Sequence, residues 1–177
     1  MNKVVISGGP YTGKTTLINA FGEVHPEFQY LLEPATVVIA EARENDILHW
    51  RSIFDSPLEF CALCMKQSLK SEQTIDNDID FVFLDRGLVD TIAYARRDHC
   101  EELIPEVKAL VVKAMYDVVL FCEPVGSINN RLEDEPMAKK THLLLREAYE
   151  EAGIPLISIP PIDLKSRIIM IENLLGL

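Results

Sequence analysis

The stretch Gly8-Gly9-Pro10-Tyr11-Thr12-Gly13-Lys14-Thr15, followed by a second threonine at position 16, decides how this chain is read. It fits the pattern G-x-x-x-x-G-K-[ST]. Just before it, Lys3 to Ser7 is a short β-branched run, and Thr15 to Phe21 after it carries helical spacing. Glycines open backbone conformations closed to other residues, so successive N–H groups can converge on one anion. The helix beginning near Lys14 adds the positive end of its dipole. In a loop of this kind Lys14 reaches the β and γ phosphates of a nucleoside triphosphate, and the Thr15 hydroxyl ligates Mg²⁺. Gly8, Gly9, Pro10, Tyr11, Thr12, Gly13, Lys14, Thr15 and Thr16 are therefore the candidate nucleotide-binding residues.

Outward from this loop, strand-like and helix-like segments alternate to the end of the chain. Phe28 to Leu32 reads as a second strand ended by Glu33-Pro34, and Thr36 to Trp50 as a helix. Pro57 to Ile75 is a further helix, with Asp55 or Ser56 as N-cap and Pro57 in its first turn. Asp80 to Leu84 is a compact apolar strand that runs into Asp85-Arg86-Gly87. Helices are expected over Leu88 to Arg97 and Pro105 to Met115, then a strand over Tyr116 to Cys122. The polar segment Ser127 to Pro136 precedes a helix from about Ala138 to Ala152, and Pro155 to Ile159 is the fifth strand. Asp163 caps a last helix with an apolar stripe of Leu164, Ile168, Ile171 and Leu175. Near-continuous apolar strands are what a parallel sheet covered on both faces requires. The expectation is an α/β fold, a three-layer α/β/α sandwich around a five-stranded parallel sheet, with ligands at the carboxyl ends of the strands.

No repeat or linker divides residues 1–177, so one domain is expected. Hydrophobic residues make up 48% and charged residues 25%, an ordinary globular balance. A net charge of -11 repels a nucleic-acid backbone, and the short basic pairs Arg96-Arg97 and Lys139-Lys140 form no phosphate track. No segment reaches the roughly 18 apolar residues of a membrane span, and Val4-Val5-Ile6 is too short for a signal peptide. A cytoplasmic location with reduced cysteines follows as the default. Cys61-x-x-Cys64 falls inside a helical apolar pattern, away from the helix N-terminus that lowers a redox thiol's pKa, so packing is expected there. Apolar positions on helices two to four suit either core or the surface of a homodimer.

The next informative residues are carboxylates and arginines that follow strands. Asp85 closes the run Phe81-Val82-Phe83-Leu84, where an acid can hold magnesium through water. Arg86 is placed to meet the phosphates or a substrate anion. Glu33 ends the second strand on the same rim as the glycine-rich loop, where a carboxylate can orient an acceptor hydroxyl and take its proton. Arg131, in the loop after the fourth strand, can close over the γ-phosphate. Candidate catalytic residues are thus Lys14, Glu33, Asp85 and Arg131, and candidate metal ligands are Thr15 and Asp85.

In the spacing of G-G-P-Y-T-G-K-T-T, Glu33-Pro34, F-L-D-R-G and the Arg131 loop, the chain resembles the nucleoside- and nucleotide-kinase branch of P-loop proteins. More closely, it is similar to the small AAA-like ATPase/kinase group that includes the kinase domain of bacterial NAD-metabolism regulators. Asp85-Arg86-Gly87, Asp90, Tyr94, Arg131, Tyr149 and Gly153 match residues of that group. The resemblance implies Mg-ATP binding, a P-loop kinase architecture, a catalytic Glu33 in its Glu-Pro context, and Trp50 as an acceptor-pocket residue beside Glu33 and Arg86. Asp85-Arg86-Gly87 departs from the E-R-S or D-R-S of the nucleoside kinases, and the lid segment has one clear arginine where many kinases have several.

Three functions remain open at this point. The first is a kinase moving the γ-phosphate of ATP to a small-molecule hydroxyl or phosphate. The second is an ATPase or GTPase with water as acceptor, and the third a module that senses nucleotide. The chain lacks the Asn/Thr-Lys-x-Asp signature that reads guanine, which favours ATP over another NTP, with Ile159-Pro160-Pro161 where adenine is often met.

Overall fold

The computed structural model describes residues 1–43, 56–125 and 135–177. The described strands are β1 (Asn2–Ser7), β2 (Gln29–Leu31), β3 (Phe81–Asp85), β4 (Val118–Cys122) and β5 (Leu156–Ile159). The described helices are α1 (Lys14–Val24), α2 (Pro34–Arg43), α3 (Pro57–Glu72), α4 (Leu88–Arg97), α5 (Ile104–Ala114), α6 (Glu135–Ala152) and α7 (Leu164–Leu175). The strands form one parallel sheet in the order β2-β3-β1-β4-β5.

Successive strand residues point to opposite faces, and the core divides accordingly. Val5, Val82, Leu84, Val119 and Phe121 pack with α3, α4, α5 and α6 on one face. Val4, Ile6, Phe83, Leu120 and Cys122 pack with Leu17, Ile18 and Phe21 of α1 and Ile171 of α7 on the other. Each inner strand therefore buries both faces, which is why its sequence reads as an apolar run rather than an alternation. The register sets Ile6 beside Asp85 and Leu31 beside Leu84. The strand ends that carry Ser7, Glu33 and Asp85 thus share one rim of the sheet.

Element boundaries move where local chemistry differs from the apolar pattern. Pro34 opens α2 two residues ahead of the expected Thr36, with Val37 N–H bonded to the Glu33 carbonyl at 3.3 Å. Ser56, rather than Asp55, caps α3, accepting from Glu59 N–H at 3.2 Å. Met115 turns into the left-handed region at φ 51° and stops α5, so β4 begins at Val118 instead of Tyr116. α6 starts three residues earlier than expected, at Glu135. Leu164, expected in the apolar stripe of the last helix, is exposed at its first turn, and Ile171 is the fully buried member. The expected continuation of α2 to Trp50, and the loop carrying Arg131, lie outside the described residues. No helix among the described residues is long and apolar enough to cross a membrane.

Candidate active site

The glycine-rich loop runs from the end of β1 into α1 and is pressed onto its neighbours. At Gly8, with φ 134°, an added Cβ would sit 2.5 Å from the Cys122 carbonyl oxygen, so β4 leaves no room for a side chain there. Gly9 N–H donates to Nδ1 of His142 on α6 at 3.1 Å. Burial first, against the pull of Glu123, holds the His142 pKa below its ordinary value. A neutral ring that accepts at Nδ1 donates at Nε2, here to Glu123 at 3.2 Å. Glu123 also pairs with Arg146. Val125 N–H donates to the Tyr11 carbonyl at 3.0 Å.

Inside the loop, Lys14 Nζ donates to the Gly9 carbonyl at 2.8 Å and to Thr12 Oγ1 at 3.2 Å. Burial, and then the charge of Arg86, push its pKa down to about 8. Thr15 and Thr16 are exposed at the start of α1. Asp85 is 6% exposed, and burial, then the charge of Glu33, push its pKa up to about 6.

Arg86 organises the other half of the site. Its φ of 75° is the left-handed region that a side-chain-bearing residue rarely adopts, and its N–H bonds the Ile6 carbonyl at 3.1 Å. That turn sends the guanidinium along the rim, where Nε donates to Glu33 at 2.6 Å and Nη1 to Asp90 at 3.0 Å. Glu33 also accepts from Thr36 Oγ1 at 2.9 Å. Burial alone would raise the Glu33 pKa, but Arg86 and these hydrogen bonds outweigh it and hold the carboxyl below its usual range. Asp90 is 3% exposed and accepts from Ser7 Oγ at 2.8 Å, Gly87 N–H at 3.1 Å and the Tyr149 hydroxyl as well as Arg86. The glycine of Asp85-Arg86-Gly87 has a packing reason. A Cβ at Gly87 would meet the Tyr116 ring at 3.1 Å and the Tyr149 hydroxyl at 3.2 Å. Both tyrosines are held by hydrogen bonds to carboxylates, Tyr116 to the half-buried Glu72 and Tyr149 to the buried Asp90.

Two cavities meet at Glu33. One, of about 260 Å³, is lined by Glu33, Phe60, Cys64, Arg86, Asp90 and Tyr94 among others. The second, of about 290 Å³, is lined by Thr15, Ile18, Tyr30, Glu33 and Asp85 among others. The structure thus brings Lys14, Thr15, Glu33, Asp85 and Arg86 to one rim; Trp50 and Arg131 lie outside the described residues. Cys61 and Cys64 both have thiols pushed up to about 12, by burial first, in keeping with packing, and they also wall the first cavity.

No cluster of three or more His, Cys, Asp or Glu side chains among the described residues forms a metal cage. A threonine hydroxyl and a single carboxylate suit a magnesium ion that takes its remaining oxygens from phosphate and water. The packed glycine loop, with its lysine and the positive end of α1, has the form of an anion cradle. The residues present therefore fit Mg-ATP. The sequence reading missed His142 of α6 and Arg167 of α7, which bond the loop directly, and Glu123 and Arg146, which back His142. Glu123, just after β4, carried the same strand-end signal as Glu33 and Asp85, while the other three had only the helical pattern around them.

Sheet order, loop and rim define a small P-loop protein with a nucleotide-kinase-like fold. The family model described as an AAA domain matches residues 3–167, and the chain belongs to that family. No curated protein matches it. Among solved structures, a NadR protein in complex with NR superposes with a TM-score of 0.75 at 17% identity, covering 99% of this chain and 51% of that one. The chain thus spans about half the length of NadR. A deoxyadenosine kinase from M. mycoides, with product dCMP bound, gives a TM-score of 0.70 at 15% identity over 98% of both chains. Thymidylate kinase from Ehrlichia chaffeensis gives 0.70 at 16% identity, over 99% of this chain and 98% of its own. At these identities the likeness is one of fold.

Proposed function

We propose that residues 1–177 act as a single kinase domain that moves the γ-phosphate of Mg-ATP to a hydroxyl or phosphate of a small, nucleoside- or nucleotide-like acceptor. The observation that carries this reading is the place of Glu33, which lines both the cavity beside Thr15 and Asp85 and the cavity beside Arg86 and Asp90. A carboxylate at that junction touches both the phosphate side and an acceptor.

In this reading Gly8 to Thr16 hold the triphosphate, Lys14 offsets its charge, and Thr15 and Asp85 hold Mg²⁺. The ion, when bound, neutralises charge on the phosphate oxygens. Glu33, kept ionised by Arg86, orients the acceptor hydroxyl and receives its proton as the bond to phosphorus forms. Arg86, fixed by Asp90, presents a positive edge to the acceptor. Arg131 as a lid residue and Trp50 as an acceptor contact rest on the sequence alone. Support for the ligand class comes from the fold neighbours, whose complexes carry NR, NAD with AMP-PNP, and dCMP. Preference for ATP, a cytoplasmic location and a possible homodimer rest on the sequence reading.

Phosphorus NMR with Mg-ATP and a pooled panel of nucleosides and nucleotides tests the proposal. A new phosphate ester that Glu33→Gln suppresses is the expected result. ADP and inorganic phosphate alone would mark an ATPase, no turnover would mark a nucleotide sensor, and either would overturn the kinase.

A further inference from the structure

We propose that Arg167 of α7 is a positioning residue of the donor site, and that its buried charge is balanced by a bound polyphosphate rather than by a carboxylate of the chain. The inference rests on the nucleotide reading given above. Arg167 is 3% exposed, and its Nη1 donates to the Thr12 carbonyl at 3.0 Å. The same nitrogen would lie 3.2 Å from a Cβ built on Gly13, so the guanidinium is packed directly behind the loop. It also stands beside the Cys122 thiol, where its charge opposes the upward push of burial.

The remaining guanidinium nitrogens are the anomaly. Nε and Nη2 are buried and have no hydrogen-bond partner among the described residues. Among the described residues the partly buried Arg86 is paired with Glu33 and Asp90, whereas buried Lys14, like Arg167, has no carboxylate partner and meets only the Gly9 carbonyl and the Thr12 hydroxyl. No carboxylate of the described residues forms an ion pair with Arg167; Asp163, one turn earlier, is engaged by Ser166. A buried, unpaired guanidinium works against folding unless something offsets it. Thr12 is the focus of two such charges, Lys14 on its hydroxyl and Arg167 on its carbonyl. Both touch the glycine-rich loop that the nucleotide reading assigns to the phosphates. In a low-dielectric surrounding a polyphosphate there interacts strongly with each, and more strongly the more phosphates it carries. The bond to Thr12 also fixes the peptide entering Gly13, where α1 begins.

The test compares wild type with Arg167→Met and Arg167→Lys in thermal melts without nucleotide and in calorimetric titrations with ATP, ADP and AMP in the presence of Mg²⁺. Arg167→Met is expected to melt at or above the wild-type temperature while its Kd for ATP rises about 10- to 100-fold. The loss should shrink from ATP to ADP to AMP, and Arg167→Lys should recover most of the ATP affinity. A Met variant that fails to fold, melts well below wild type, or loses the three nucleotides equally would show a structural anchor and overturn the proposal. So would a Lys variant as weak as the Met variant. Wild type that does not bind Mg-ATP would remove the nucleotide reading itself; wild type that binds it no better than Arg167→Met would remove only this inference.

Discussion

The donor and acceptor halves of the rim are built on opposite electrostatic plans. On the donor half, Lys14 is pushed down to about 8 by burial and Arg86, and Asp85 up to about 6 by burial and Glu33. Both charged forms are disfavoured there. On the acceptor half, Arg86 offsets the effect of burial on Glu33 and keeps it ionised, and Asp90 has four donors. That half is balanced within the protein. The difference separates two design problems. Under the proposed function the donor charges are completed by the ligand, so changing them alters binding more than folding. Acceptor charges complete one another, so changing them alters the protein itself.

The largest effect is expected where the halves meet. Glu33→Gln should lower turnover by about 10²- to 10⁴-fold, with Mg-ATP affinity kept, because Arg86 retains Asp90. Steady-state kinetics alongside a titration decide this; equal loss of binding and turnover would place Glu33 on the donor half. Asp90→Asn comes next. It weakens four hydrogen bonds in a buried network and should cost about 2–4 kcal/mol in denaturant unfolding. Unchanged stability would break the claim that the acceptor half is internally balanced.

The pH behaviour follows from Asp85. Its folded pKa of about 6 lies above the ordinary 3.8, so ionising it costs stability. Its contribution to nucleotide-free stability should fall as pH rises from about 4 to about 6 and stay flat above that. Mg-ATP binding needs the ionised form, so affinity should fall about tenfold per pH unit below 6, and Asp85→Asn should flatten that slope. A pH-independent titration would contradict the assignment of Asp85 to the metal. The smallest effect is packing. Gly87→Ala should cost about 1 kcal/mol by crowding Tyr116 and Tyr149, measured in thermal melts, with Mg-ATP affinity unchanged.

What the sequence disclosed follows from how local each signal is. Phe81 to Leu84 was legible as a strand because both of its faces are buried. The loop from Gly8 to Thr15 was legible because its chemistry depends on spacing within eight residues. Glu33 and Asp85 were legible as strand-end acids, and the parallel register then set them on one rim. Contacts between distant residues left no such mark. Thr12 meets Arg167 155 positions away, and Gly9 meets His142 133 positions away. Neither partner departs from its helix's ordinary pattern. Gly87 looked like a deviation from kinase motifs; its reason is two tyrosines brought in from β4's approach and α6. Cys61 and Cys64 read as packing residues, and only the fold shows that they also wall a cavity.

The central claim is that the loop centred on Lys14 binds the phosphates of Mg-ATP without being needed to hold the fold. Calorimetric titration of Mg-ATP into wild type and Lys14→Ala, with thermal melts of both, tests it directly. Wild type should bind, and the variant should lose about 10²-fold or more in affinity while melting at or above the wild-type temperature. Equal affinity in the two proteins would contradict the account.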